Sequence, residues 1–122
     1  MATNYRQEGD VMQWTNSTGS AVASGDVVKI TNMLGIALVD IANGASGSVA
    51  LKGVFSDVPK VTAAVFTVGE KLIWDVSAGK FDDSAATPAS GDVTGAAIAL
   101  VAGANLETTC TIMLTPGNTT VT

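Results

Sequence analysis

Histidine is absent from the 122 residues, and the side chains that remain able to do chemistry are few and scattered. Without imidazole there is no Ser–His or Cys–His couple and no His-ligated zinc, so the common hydrolytic mechanisms lack their base. Two carboxylate pairs stand close in sequence, Glu8 with Asp10 and Asp82 with Asp83. Such pairs can divide acid and base roles or hold a hard cation through oxygen. In an extended strand neighbouring side chains leave opposite faces, so Asp82 and Asp83 do not converge, and neither pair has calcium-loop spacing. Both pairs read as solvated loop charge. The single cysteine, Cys110, lies in the alternation Thr109-Cys110-Thr111-Ile112-Met113-Leu114 and reads as a small buried hydrophobe of a strand. No Gly-x-x-x-x-Gly-Lys-Ser/Thr loop occurs; the one Gly-Lys pair, Gly79-Lys80, runs into Phe81 and leaves no cradle for nucleotide phosphates. The expectation is a protein that is not an enzyme and uses no cofactor or metal.

Recognition through aromatic stacking is the other chemistry to weigh. Trp14 and Trp74 could line one pocket of a small-ligand or glycan-binding barrel, or plug a core at strand ends. Aromatics are only 5 % of the chain, against 47 % apolar residues that are largely Ala and Val, so the tryptophans are needed as core. Tyr5 differs, because an aromatic on a polar segment is placed to anchor in a partner's pocket.

Charge narrows the partners. The net charge is −5, and the six basic residues, Arg6, Lys29, Lys52, Lys60, Lys71 and Lys80, form no run or stripe. Direct nucleic-acid binding, which depends on clustered cations, is not expected. Asp82, Asp83, Asp92 and Glu107 follow Lys80 with no further basic residue, so the last third of the chain suits a basic protein patch. Charged residues are only 14 %, which leaves a surface of Ser, Thr, Gly, Ala and Asn suited to broad protein contact. No apolar stretch approaches a membrane span, and Met1-Ala2-Thr3-Asn4-Tyr5-Arg6 lacks the apolar region of a signal peptide; synthesis in a cytoplasm is expected. The acceptor-like Asn16-Ser17-Thr18 and Asn118-Thr119-Thr120 are then chance matches.

The elements that carry these residues are short and β-rich. Strands are expected over Val11 to Trp14, Asp26 to Ile30, Gly35 to Ile41, Ser48 to Phe55, Lys71 to Trp74, Gly95 to Val101 and Thr108 to Leu114, between turns such as Asn43-Gly44 and Ser77-Ala78-Gly79. Seven short strands at close spacing indicate a barrel or sandwich. Residues 57–66 read as extended or as one helical turn opening at Pro59, tilting to strand, and Asp82 to Asp92 as a surface loop. A repeat runs through the pattern. Ala23-Ser24-Gly25-Asp26-Val27-Val28-Lys29-Ile30 and Val68-Gly69-Glu70-Lys71-Leu72-Ile73-Trp74-Asp75 share a glycine, an acid and an apolar strand. A matched element follows each, Gly35-Ile36-Ala37-Leu38-Val39 and Gly95-Ala96-Ala97-Ile98-Ala99. The expected organisation is an N-terminal arm over 1–10, a β-barrel domain over 11–115, and a C-terminal tail over 116–122 with no partner in the repeat.

Asn4-Tyr5, Gln7-Glu8-Gly9-Asp10, Trp14-Thr15-Asn16, Ser24-Gly25-Asp26, Gly35-Ile36-Ala37-Leu38, Asp40-Ile41-Ala42, Gly53-Val54-Phe55, Pro59-Lys60 and Trp74-Asp75, in that order, resemble a family of tailed-phage capsid decoration, or cement, proteins. The likeness covers nearly the whole chain. Members often carry a RecA/RadA-like recombinase label, which this sequence contradicts for want of a phosphate loop and a basic stripe. The resemblance implies an all-β fold, a small barrel of the β-tulip or β-clip kind related to lambda-type head-decoration proteins, with a flexible N-terminal arm. It also implies a homotrimer on the outer surface of the virion capsid, at three-fold and quasi-three-fold positions. The arm, with Asn4, Tyr5, Arg6, Gln7 and Glu8, would bind the major capsid protein and so stabilise the head.

Overall fold

The computed structural model describes residues 3–4 and 9–122. Ten strands and no helix occur among them: β1 Val11–Thr15, β2 Val27–Ile30, β3 Met33–Ala37, β4 Ser46–Ala50, β5 Val54–Pro59, β6 Lys71–Asp75, β7 Lys80–Asp82, β8 Val93–Ala99, β9 Thr109–Leu114 and β10 Thr120–Val121. The all-β expectation holds. The strands form two antiparallel sheets. One is four-stranded in the order β1-β4-β3-β2; the other is six-stranded in the order β5-β9-β8-β6-β7, with β10 also pairing β8. β5 and β7 stand at opposite ends of that second order, yet Lys60 and Phe81 form a parallel bridge. There the Val61 N–H donates to the Phe81 carbonyl at 2.8 Å. The larger sheet thus curls until its two edges touch.

Burial follows the pleat. In β9, Cys110, Ile112 and Leu114 are buried while Thr109, Thr111 and Met113 face outward to varying degrees, the period of two expected of a strand with one covered face. β8, flanked by β6 and β9, is buried almost throughout, and small Gly95, Ala96 and Ala97 make that possible. The main core joins Leu34 and Ile36 of the small sheet to Leu72, Trp74, Phe81, Val93 and Ile112 of the large one. A second cluster of Val22, Val28, Ala37, Ile41 and Val49 packs apart from it, with Trp14 against it.

Several boundaries depart from the sequence pattern. The strand expected over Gly35 to Ile41 is β3, beginning at Met33, because Thr31, at φ 52°, turns the chain straight back and Ile30 pairs with Met33. Ser48 to Phe55 is two strands in different sheets, broken at Leu51-Lys52-Gly53, where Gly53 takes φ 124°. A bulge at Ser56-Asp57, with Asp57 at φ 57°, precedes Val58-Pro59 at the end of β5, and a turn follows in which the Ala64 N–H donates to the Val61 carbonyl at 3.0 Å. β7 has no counterpart among the expected strands. Residues 116–122, which have no counterpart in the sequence repeat, supply β10, which pairs Thr120 with Thr94 and Val121 with Val93. Gly95 explains the gap between β9 and β10: a Cβ there would lie 2.4 Å from the Asn118 carbonyl oxygen, so only glycine admits the crossing chain.

Candidate functional site

Of the residues expected to contact a capsid, Asn4 lies in an exposed turn, and Tyr5, Arg6, Gln7 and Glu8 lie outside the described residues. The root of the segment is fixed. The Asp10 carbonyl accepts the Leu51 N–H at 2.8 Å, which extends the β1–β4 pairing, and β1 is an edge of its sheet.

Most of the other described acids are occupied by turns. In four places the chain makes the same closed turn: the N–H of its first residue donates to the carboxylate of its fourth, and the fourth N–H donates back to the first carbonyl. The turns are Ala23 to Asp26, Thr67 to Glu70, Ala89 to Asp92 and Ala104 to Glu107. The third residue takes positive φ, 92° at Gly25, 88° at Gly69, 90° at Gly91 and 77° at Leu106. Its N–H donates to a neighbouring segment, to Ala37, Ala99, Thr122 and Thr62 at 2.7, 2.7, 2.7 and 2.9 Å. The repeat in the sequence is therefore a repeat in geometry, since Ala37 and Ala99 return N–H bonds to the Asp26 and Glu70 carbonyls at 2.9 and 3.0 Å. Two further copies escape the sequence reading. The identical tetrapeptide Ala-Ser-Gly-Asp at 23–26 and 89–92 was the available signal for one; Leu106 in the glycine position conceals the other.

Asp82 and Asp83 also serve the backbone. Asp82 accepts the Asp83 N–H at 2.8 Å, and Asp83 accepts from Ala85 at 3.1 Å and Val65 at 3.3 Å. They are half-buried turn fasteners rather than freely solvated charge.

At Glu70 and Asp75 such bonds favour the ionised carboxylate. The Ser84 N–H, with its hydroxyl and the Thr67 N–H, holds Glu70 below the usual carboxylate range against the opposing effect of desolvation. The Ser77 hydroxyl and the Ala78 N–H do the same for Asp75. A folded-state pKa below the unfolded one contributes stability above the unfolded value and loses it as pH falls through the folded value. Glu70→Gln is therefore expected to flatten the acid side of a plot of urea midpoint against pH, and to converge with wild type at strongly acidic pH. A plot as steep as wild type's would refute the role given to Glu70.

Cys110 is buried in β9, and desolvation pushes its thiol up to about 11, with the Lys60 ammonium pulling against it and Glu107 adding to it. It is inert as a nucleophile at neutral pH. Trp14 and Trp74 do not share a pocket. Trp74 meets Phe81 edge to face at 4.8 Å in the main core and touches a cleft of about 300 Å³ with Val27, Lys29, Pro59 and Gly79, whereas Trp14 packs on the second cluster.

Two buried polar residues went unread in the sequence. Asn16, fully buried, donates to the Ser20 and Ile41 carbonyls at 2.8 and 3.0 Å and accepts from the Thr18 N–H and hydroxyl at 3.0 and 2.7 Å. Lys60, also fully buried, donates to the carbonyls of Val61, Thr62 and Glu107 at 2.9, 3.2 and 3.3 Å, with Phe66 5.9 Å from its ammonium.

What the surface offers instead is aliphatic. Val65, Val68, Val101 and Leu106 are each more than half exposed. They belong to two loops zipped together by the Leu106–Thr62, Phe66–Gly103 and Gly69–Ala99 backbone bonds. Among the described residues no group of three or more His, Cys, Asp or Glu side chains could hold a metal ion. Fold and surface together define a small β-structured module that offers contact surfaces. The chain belongs to the phage cement protein family, whose model matches residues 6–114. No curated protein and no solved structure matches it.

Proposed function

We propose that this protein decorates the outside of a phage head, binding the major capsid protein as a homotrimer at three-fold and quasi-three-fold positions and stabilising the mature lattice. The single observation that carries the reading is the cement-family match over residues 6–114. The structure supports it in two ways. Four of the acids are engaged in closing turns, and the exposed aliphatic side chains suit protein contact. Residues 1–10 act as the capsid-binding arm, with Tyr5 and Arg6 as leading anchors beside Asn4, Gln7 and Glu8. Residues 11–115 form the body, and 116–122 a tail whose end, β10, is tied to it.

The mechanism is linkage. A protein that binds the expanded lattice and not its precursor stabilises the former by its binding free energy, about 2.7 kcal/mol per site at a hundredfold excess over Kd. Trimeric presentation raises the effective concentration of each arm, so modest contacts sum to firm attachment. Purified protein mixed with expanded and unexpanded heads is expected to cosediment with the expanded form only. Failure to join expanded heads overturns the reading.

A further inference from the structure

We propose that the body makes a second capsid contact, separate from the arm, through an acid-rimmed apolar knob centred on Leu106, and that its partner surface is an aliphatic hollow flanked by lysine or arginine. The proposal rests on the decoration reading.

Leu106 is the anomaly that points there. Three of the four acid-closed turns place glycine at the position of positive φ; the fourth places leucine, at φ 77°. An L-residue with a bulky side chain is strained in that region, and folding alone would favour glycine or asparagine. The strain brings no burial in return, since Leu106 is 77 % exposed, the largest exposure among the large apolar side chains of the described residues. A residue that strains its turn in order to present an isobutyl group to solvent is explained by a partner.

Its surroundings fit. Phe66–Gly103 and Gly69–Ala99 bonds bracket Val68 and Val101, setting these exposed valines opposite one another, and the Leu106–Thr62 bond closes the same loop pair around Val65. The rim is acidic. Asp57 and Glu107 line, with Val101, a cleft of about 170 Å³, and Asp83 reaches the Val65 N–H. No exposed cation balances them in this loop pair: Lys60 is fully buried, and the stem of Lys71 runs toward Gly95.

Charge and geometry select the occupant. Two copies meeting through this same patch would set Asp57 and Glu107 against their own counterparts. The exposed cations a second copy could offer, Lys52, Lys71 and Lys80, are single residues on separate segments, with Lys52 at the other end of β5. A second copy is a poor electrostatic match as well, because it carries a net charge of −5 and its six basic residues form no cluster to meet the acidic rim. A capsid subunit remains. The arm root at Asp10–Leu51 adjoins the Val54 end of β5, and the knob adjoins the Pro59 end, so the two contacts stand about 20 Å apart across a six-residue strand. Each copy then bridges two capsid features by itself.

Leu106→Asn separates the knob from the fold, because asparagine accepts positive φ. The variant is expected to melt at or above the wild-type temperature yet bind expanded heads at least about tenfold more weakly, the loss expected when a leucine contact is removed. Val68→Ser, which relieves no strain, is expected to weaken binding in the same direction. Asp57→Asn is expected to flatten the salt dependence of binding. Wild-type affinity in both Leu106→Asn and Val68→Ser overturns the knob and leaves the decoration reading standing. A changed oligomeric state by light scattering with unchanged head affinity also overturns it, by assigning the patch to another copy. Absence of wild-type binding removes both readings.

Discussion

Lys60→Met is expected to destabilise the protein by roughly 3 kcal/mol, although methionine matches lysine in length and removes a buried charge. For many buried ionic groups an apolar replacement is harmless, because the desolvation penalty disappears with the charge. Lys60 differs in what it leaves behind. Its ammonium has three protons and three carbonyl partners, on Val61, Thr62 and Glu107, and a thioether donates to none of them. Those carbonyls belong to the place where the large sheet closes on itself. The Lys60 N–H donates to the Thr108 carbonyl at 2.9 Å and the Val61 N–H to Phe81, so β5, β7 and the 104–108 turn meet at this one side chain. The loss corresponds to a fall of about 10 °C in Tm for a domain of this size. A thermal melt and a urea titration measure it. A variant as stable as wild type would show that the lysine's own desolvation outweighs its bonds.

That side chain also shows where sequence reading stops. Lysine is among the residues least often fully buried, and Pro59-Lys60 sits between a strand and an ambiguous segment, so composition assigns it to the surface. Only a chain crossing that brings Glu107 within reach of residue 60 creates the pocket of carbonyls, and such crossings leave no periodic trace. Asn16 is similar: its neighbours Ser17, Thr18, Gly19 and Ser20 announce a turn, but the Ile41 carbonyl that buries it arrives from another strand.

The legible part was local. Alternation in Thr109 to Leu114 gave β9 within one residue, and the shared Gly-acid grammar at Gly25-Asp26 and Gly69-Glu70 corresponds to two turns docked on Ala37 and Ala99. Sheet membership was not legible. Val49-Ala50-Leu51 and Val54-Phe55 read as one apolar run because a change of sheet at Gly53 alters direction without altering hydropathy. The capsid-contact expectation for Tyr5 to Glu8 rests on an aromatic in a polar segment and on family likeness, and these residues lie outside the described residues.

Deleting residues 1–9 is the experiment that isolates that segment, and it is expected to leave the body folded while reducing attachment to expanded heads below detection by cosedimentation. The folded half of this expectation follows from the packing. Among the described residues the two core clusters draw nothing from before Trp14, and the first strand bond retained, Leu51 to the Asp10 carbonyl, survives the cut. A melting temperature within a few degrees of wild type checks it. The binding half follows from multivalency. Removing the arm removes every copy of it from a trimer at once, so the losses compound, and an arm worth only tenfold alone becomes about a thousandfold in the assembly. The Leu106 contacts, one per copy, then remain without the arms and do not by themselves hold the body on the shell through sedimentation. Light scattering on the truncated protein keeps the interpretation clean, since a trimer that falls apart would lose avidity for a different reason. A truncated, trimeric protein that still decorates heads normally would transfer the whole of capsid recognition from the arm to the body.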